Sequence, residues 1–106
     1  MGRGGPLGGD VLIVIDGETL PARLTLGALA ELEDRLGEEG LGPLLERFEG
    51  GAVRSKDIAA LLAAGLRGGG WTGTEADLMH ARLGGGATTA ARHAAELLIQ
   101  AFRLPE

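Results

Sequence analysis

Apolar residues near the start of the chain form a short uninterrupted run, which is typical of a β-strand. Val11–Ile15 consists of aliphatic residues, most of them β-branched, and Asp16-Gly17 follows directly. Such a pair favours a type I′ turn, because both central residues of that turn need positive φ angles. The pattern predicts a β-hairpin in which Glu18 to Thr25 returns as the second strand.

The turn determines which side chains share a face of this hairpin. The register that it predicts joins three pairs: Ile15 with Glu18, Ile13 with Leu20, and Val11 with Ala22. Leu12 and Val14 then lie on the opposite face, so both faces of the first strand are apolar. Pro21 cannot donate a ladder hydrogen bond, which predicts that its strand is an edge. Either helices cover both faces, or the Leu12 and Val14 face contacts another chain, and the sequence favours neither alternative.

The rest of the chain shows the 3.6-residue period of amphipathic helices, interrupted by glycine runs. The predicted segments are a helix capped by Thr25 and ended by Gly37, a short helix from Pro43 to Gly50, a helix capped by Ser55, a helix opened by Thr74 and Asp77 that carries Leu78, Met79 and Leu83, and a last helix from about Thr88 to Phe102. This order predicts an α+β fold, with an N-terminal β-hairpin followed by about five short helices in a small helical bundle.

Three of these helices have clear apolar stripes. The stripes are Leu29, Leu32 and Leu36 in the first helix, Ile58, Leu62 and Leu66 in the third, and Ala90, Ala94, Leu98 and Phe102 in the last. The third helix has almost no polar face, so we expect it to be buried on most sides. Glu31 and Arg35 are predicted to form an i,i+4 ion pair.

Domain organisation and bulk composition point to one small protein domain. Residues 1–9 contain five glycines and one proline and are expected to be a flexible N-terminal segment, whereas 10–106 form a single domain. The net charge is −5, with no stripe of Lys or Arg, which argues against nucleic-acid binding. No apolar stretch approaches the ~20 residues that span a bilayer, and the N-terminus lacks an apolar signal core. We expect a cytoplasmic protein without a membrane partner.

The chain carries no recognisable catalytic, cofactor or metal motif. Gly68–Gly73 matches G-x-G-x-x-G, but a predicted helix precedes it where dinucleotide binding needs a strand. The chain has no cysteine, and His80 and His93 lack metal-site spacing. Ser55 lies outside any nucleophile elbow. We therefore expect a protein that is not an enzyme and has no catalytic residues, cofactor or metal.

Three apolar residues are candidates for partner binding. Leu12 and Val14 are candidates because of the second apolar face of the hairpin, which also allows strand addition by a second copy of the chain. Trp71 lies in a glycine-rich segment, where it is either a lid over the core or an anchor for a partner. Core packing is the commoner case for a tryptophan.

Two stretches resemble a known family. Residues 23–33 read Arg-Leu-Thr-Leu-Gly-Ala-Leu-Ala-Glu-Leu-Glu, and residues 61–70 read Leu-Leu-Ala-Ala-Gly-Leu-Arg-Gly-Gly-Gly. With the elements around them, from about Asp10 to Phe102, they resemble small proteins from the tail-gene region of gene transfer agents and related phages. The resemblance implies a part in building a phage-like tail. It implies a tail assembly chaperone, which shields the tape-measure protein before tube subunits polymerise round it, and it brings no catalytic residues.

Two other functions remain open. One is a structural tail component, at the tube or the tail tip, that stays in the particle; some descriptions of the family call it a tail tube protein. Tube subunits are generally rich in β-strands, whereas this chain predicts two strands and about five helices. The other is a small DNA-binding regulator, which the net charge of −5 disfavours.

Overall fold

A computed structural model of the protein describes residues 10–102. Its elements are β1 (Val11–Ile15), β2 (Glu18–Ala22), α1 (Leu26–Leu36), α2 (Leu41–Gly50), α3 (Ser55–Gly68), α4 (Glu75–Met79) and α5 (Gly86–Ala101), with a 3₁₀ turn at Gly37–Glu39. The predicted α+β fold, an antiparallel hairpin followed by five helices, is confirmed for these residues. The expectation that residues 1–9 form a flexible segment lies outside them.

The hairpin has the predicted register. Asp16 and Gly17 have φ angles of 52° and 84°, as a type I′ turn requires. All three predicted pairs are observed. The second strand ends at Ala22 and not at Thr25, because the Arg23 N–H donates 2.8 Å to the carbonyl oxygen of Gly65 in α3 instead of continuing the ladder. A hydrogen bond to α3 therefore replaces the ladder hydrogen bond at the residue that follows β2.

Helix α1 begins and ends where its sequence predicts. The Thr25 hydroxyl accepts a 3.0 Å hydrogen bond from the Ala28 N–H, and the helix stops before Gly37, whose φ is 68°. Its buried side consists of Ala28 and Leu32, while Leu29 is only half-buried. Leu32 is thus confirmed in the predicted stripe and Leu36 packs against the core, but Ala28 takes the buried position predicted for Leu29.

The predicted pairing of Glu31 with Arg35 is wrong. Arg35 instead donates to both carboxylate oxygens of Glu75 in α4, at 2.9 and 3.1 Å. Glu31 accepts from Arg67 in α3. Partners on neighbouring helices replace the local pair, and they join α1 to both α3 and α4.

The prediction that Ser55 caps the third helix is also wrong. Ser55 is the first residue of α3, and Arg54 occupies the cap position. The carboxylate of Asp57 accepts the Arg54 N–H at 3.0 Å, so a side chain from inside the helix satisfies this free donor. Pro43 lies in the first turn of α2, which begins two residues earlier at Leu41, and there its missing N–H costs no helical hydrogen bond.

Helix α3 is the centre of the fold. Every residue from Ala59 to Leu66 is buried, and the helix contacts α1, α4, α5 and β2. Two glycines allow its close approach to β2. A Cβ at Gly68 would collide with the Arg23 carbonyl, and one at Gly69 would collide with the Pro21 carbonyl. Gly68 and Gly69, which belong to the second family-like stretch, are therefore required for this close packing.

Helix α4 is shorter than predicted, and Leu83 does not belong to it. The helix ends at Met79 after the predicted capping box of Thr74 and Asp77. Leu83 instead forms an isolated antiparallel bridge with Ile15 in β1. The apolar spacing predicts a helical position for Leu83, because spacing alone does not distinguish one helical turn from an extended segment.

Helix α5 buries part of its predicted row. Ala90, Ala94 and Leu98 are at most 4% exposed. Phe102 was predicted to continue this row, and that prediction is wrong: the helix ends at Ala101, and the Phe102 side chain is 45% exposed. The chain departs from helical geometry one residue too early for Phe102 to reach the core.

Candidate interaction surface

The two faces of β1 differ in burial. Val11, Ile13 and Ile15 are at most 6% exposed and belong to the core. Leu12 is 59% exposed and Val14 is 36% exposed, although both are as apolar as their neighbours. Alternation along a strand sends them to the other face, which the described helices leave uncovered.

The outer edge of β1 is covered over part of its length. The Gly84 N–H donates 2.9 Å to the Val14 carbonyl, and the Asp16 N–H donates 2.8 Å to the Arg82 carbonyl. The Asp16 carboxylate also accepts from the Arg82 N–H at 2.9 Å. These hydrogen bonds, which are made by described residues, reach Val14 and Asp16 but not Leu12.

A groove between α2 and α5 adds a second exposed apolar surface. It encloses about 570 Å³ and is lined by Leu45, Phe48, Glu49, Ala95, Leu98, Ile99 and Phe102. The Ile99 side chain is 60% exposed. Aliphatic and aromatic side chains therefore form most of its walls.

Ile99 joins this groove to the hairpin. A second depression of about 360 Å³ is lined by Asp10, Val11, Leu12, Glu96, Ile99 and Gln100. Because Ile99 lines both spaces, the exposed apolar residues form one continuous surface. We call this surface the apolar strip and define it as Leu12, Leu45, Phe48, Ile99 and Phe102. Large contiguous apolar surfaces on proteins commonly mark interaction sites.

Sequence reasoning missed Ile99 as a site residue. It lies beside Leu98 but points about 100° away around the helix. A large aliphatic residue next to a buried row, followed by the polar Gln100, was the available signal. Leu26 and Met79 are also exposed, at 86% and 57%, but neither lines these two spaces.

An ion pair between α2 and α3 positions one wall of the groove. Arg47 donates 2.8 and 2.9 Å hydrogen bonds to the two carboxylate oxygens of Asp57, whose side chain is 3% exposed. Burial alone would raise the pKa of Asp57, but hydrogen bonds from Arg47 and Arg54 outweigh it and lower this pKa to about 2. The pKa of Arg47 is raised by the same bond to Asp57 and by another to Glu39. This bidentate contact holds α2 in register with α3.

Trp71 occupies a different environment from Leu12 and Val14. The backbone N–H of Trp71 donates a 2.9 Å hydrogen bond to the Leu66 carbonyl oxygen near the end of α3. The half-buried indole side chain packs against the core. A Cβ at Gly73 would collide with the indole ring. Leu12 and Val14 share the exposed face of the hairpin, but Trp71 does not line the depression that contains Leu12.

The acidic and histidine side chains of residues 10–102 form no metal-binding cluster. No group of three or more His, Asp or Glu side chains there is arranged to hold a metal ion. His80 is exposed, and His93 Nδ1 lies 3.2 Å from Glu96 Oε1. None of the described helices is both long enough and apolar enough to cross a bilayer.

Comparison with protein families gives one match across nearly the whole sequence. A family model described as "Phage tail tube protein, GTA-gp10" matches residues 8–104. No curated protein and no solved structure matches the chain. The matched range includes both family-like stretches, the hairpin and all five described helices.

Proposed function

We propose that this chain, which belongs to the gene transfer agent family described as phage tail tube protein, GTA-gp10, is a tail assembly chaperone that binds the tape-measure protein. The family is one of phage tail proteins and is not an enzyme family. Its members' partners are therefore sought among other tail proteins. Chaperone activity requires no catalytic residues, in keeping with the sequence.

The observation that carries this proposal is the exposed apolar strip. A chaperone must present apolar surface to a client whose own apolar surface is temporarily uncovered. Leu12, Ile99 and Phe102 are each at least 45% exposed and surround the two adjoining depressions. The described residues contain a two-stranded sheet, whereas tube subunits are generally rich in β-strands.

Co-expression with the tape-measure protein of the same gene cluster tests the proposal. The expected result is a stable complex that survives affinity purification and gel filtration. A tube subunit expressed in the same way is the control client. Absence of any complex with the tape-measure protein, while that protein is present and soluble, contradicts the chaperone function.

A structural tail component is the second candidate, and the description of the family as tail tube proteins favours it. In this case the chain stays in the mature tail at the tube or the tail tip. Quantitative mass spectrometry of purified particles distinguishes the two functions. A chaperone is expected to be absent from the particles, whereas a tube subunit is expected at the copy number of the tube.

A further inference from the structure

We propose that the groove between α2 and α5 binds an amphipathic helix whose apolar side is flanked by basic residues. The chaperone function proposed above supplies the source of that helix, the tape-measure protein, and the inference rests on it in this respect. The groove differs from the hairpin face that the sequence singled out. The groove has two walls and a floor and so forms a defined binding site. The hairpin face is only one part of an exposed surface.

The walls of the groove have the spacing expected for a helix-binding site. Leu45 and Phe48 lie three residues apart on α2, and Ile99 and Phe102 lie three residues apart on the other wall. Leu45 and Phe48 therefore share one face of α2, while Ile99 near the end of α5 and Phe102 just after it form the opposite wall. Two apolar walls with space between them can receive the i, i+3, i+4 side chains of a third helix.

The exposure of these side chains shows that the groove is accessible. Ile99 and Phe102 are 60% and 45% exposed, while Leu98 at the floor is 4% exposed. A docked helix would remove the two exposed side chains from water without moving the buried floor. Ile99 lines both the groove and the adjoining depression, so its burial would join the two contact areas.

The charged residues around the groove determine the kind of helix that fits. Every charged residue that lines the groove or the adjoining depression is a carboxylate: Glu49, Glu96 and Asp10. Asp10 is paired with Arg23, and Glu96 lies beside His93. Glu49 has no ion pair among the described residues. A helix with Lys or Arg beside its apolar side complements this rim.

The same charges disfavour a second copy of the chain as the occupant. Each copy carries a net charge of −5 and the same acidic rim. Pairing two copies through the groove and its adjoining depression would bring Glu49 and Glu96 of one copy towards the same acidic rim of the other. Like charges across an interface weaken association, so a basic partner is favoured over self-association.

A pair of model peptides tests the apolar and the charged parts together. The first is an 18-residue fluorescent peptide with Leu at i, i+3, i+4 and i+7 positions and Lys elsewhere, and the second has Glu in place of Lys. We expect the full-length protein to bind the Lys peptide, measured by fluorescence anisotropy, and to bind the Glu peptide at least tenfold more weakly. Equal affinity for both peptides overturns the charge argument and the proposal with it.

Variants locate the binding site. Ile99→Ser combined with Phe102→Ser is expected to weaken binding of the Lys peptide at least tenfold, because both anchors are lost. Leu26→Ser is the matched control, since Leu26 is 86% exposed and lies outside the groove. Binding that survives the double substitution, or that Leu26→Ser removes equally, overturns the proposal. Circular dichroism establishes that each variant is folded before binding is compared.

A charge reversal on the rim provides an independent measurement. Glu49→Lys is expected to weaken binding of the Lys peptide about two- to fivefold at low salt and less at high salt. Glu33→Lys on α1 gives the same change in net charge and is expected to leave binding within about twofold. Equal effects of both substitutions would mean that net charge alone attracts the peptide, and they overturn the assignment to the groove.

The tape-measure protein separates this inference from the proposed function. If wild-type protein forms no complex with it, the chaperone function fails. If the complex forms and the Ile99→Ser, Phe102→Ser variant retains it, the function stands and the groove assignment fails. Light scattering on the free protein tests the competing occupant. A dimer that this double substitution converts to a monomer overturns the proposal in favour of self-association.

Discussion

Helices α3 and α5 have similar compositions and different surroundings. Both consist largely of Ala and Leu, and both have Ala-rich faces that permit close packing. Every residue of α3 from Ala59 to Leu66 is buried, whereas α5 ends with Ile99 at 60% exposure. The same side-chain chemistry therefore forms a core in one helix and part of a surface in the other.

The difference arises from the number of neighbouring elements. Helix α3 packs against three helices and a strand, and α5 packs chiefly against α3 and β1. The space between α5 and α2 stays open as the groove. An apolar residue in a helix is thus a core residue only if a second element occupies its side of the helix.

Truncating a leucine in α3 should have the largest effect on stability. Leu61 is 0% exposed, so Leu61→Ala is expected to lower the free energy of unfolding by about 2–5 kcal/mol through lost burial and a residual cavity. Ile99→Ala in α5 is the matched variant and should change it by less than about 1 kcal/mol. Urea denaturation followed by circular dichroism measures both. Equal losses would show that the groove is already filled in the free protein.

Adding a methyl group at the contact between α3 and β2 should have the next largest effect. Gly68→Ala places a Cβ against the Arg23 carbonyl, so it is expected to destabilise the protein by about 1–3 kcal/mol. Gly42→Ala in α2 meets open space and should be neutral or stabilising by up to about 1 kcal/mol. Thermal denaturation of the two variants compares them directly. A stable Gly68→Ala protein would refute the close approach.

Acid should weaken the N-terminal end of α3, where Arg47 and Arg54 hold the carboxylate of Asp57. Asp57 has a pKa of about 2 in the folded protein and 3.8 as its ordinary value, so its ionised form stabilises folding by about 2 kcal/mol. Because the folded pKa is the lower one, this contribution is complete above about pH 4 and is lost as the pH falls towards 2.

Substitution of Asp57 measures this contribution. Asp57→Asn should lower stability near pH 7, where Arg47 loses its buried charged partner and keeps only Glu39, and should flatten the decline between pH 4 and pH 2. Asp34→Asn, at an exposed position of α1, should leave that decline unchanged. Urea midpoints across this pH range provide the data. An equally steep decline in the Asp57→Asn protein would assign the acid sensitivity to other carboxylates.

Local features of the fold were predictable where a few adjacent residues decide the outcome. Asp16-Gly17 set both the turn and the register, and Thr25 and Gly37 bounded α1. Predictions failed where distant residues compete with local ones. Arg35 pairs with Glu75 and not with Glu31, and Leu83 joins β1 and not α4. The i,i+4 spacing rule considers only residues one helical turn apart, so it cannot identify a partner 40 residues away in the sequence.

The candidate surface was predictable in part for the same reason. Alternation along β1 identified Leu12 and Val14 as a separate apolar face, but it could not say whether helices cover that face. Ile99 and Phe102 became part of the apolar strip only because α5 ends at Ala101 and α2 stands apart from it. For Trp71 the sequence favours core packing over a partner anchor, and its half-buried side chain packs against the core.

By itself, the sequence determined the hairpin, the caps that bound α1 and open α4, the buried character of α3 and the family. These depend on backbone conformation and hydrogen bonds within a few residues, or on composition. Only the tertiary structure decided which apolar residues stay exposed and which charges pair. Burial is a property of two surfaces in contact, and the second surface comes from a distant part of the chain. The sequence specifies the apolar side chains that line the groove beside Ile99. The packing of α2 and α5 decides that these side chains face an open space.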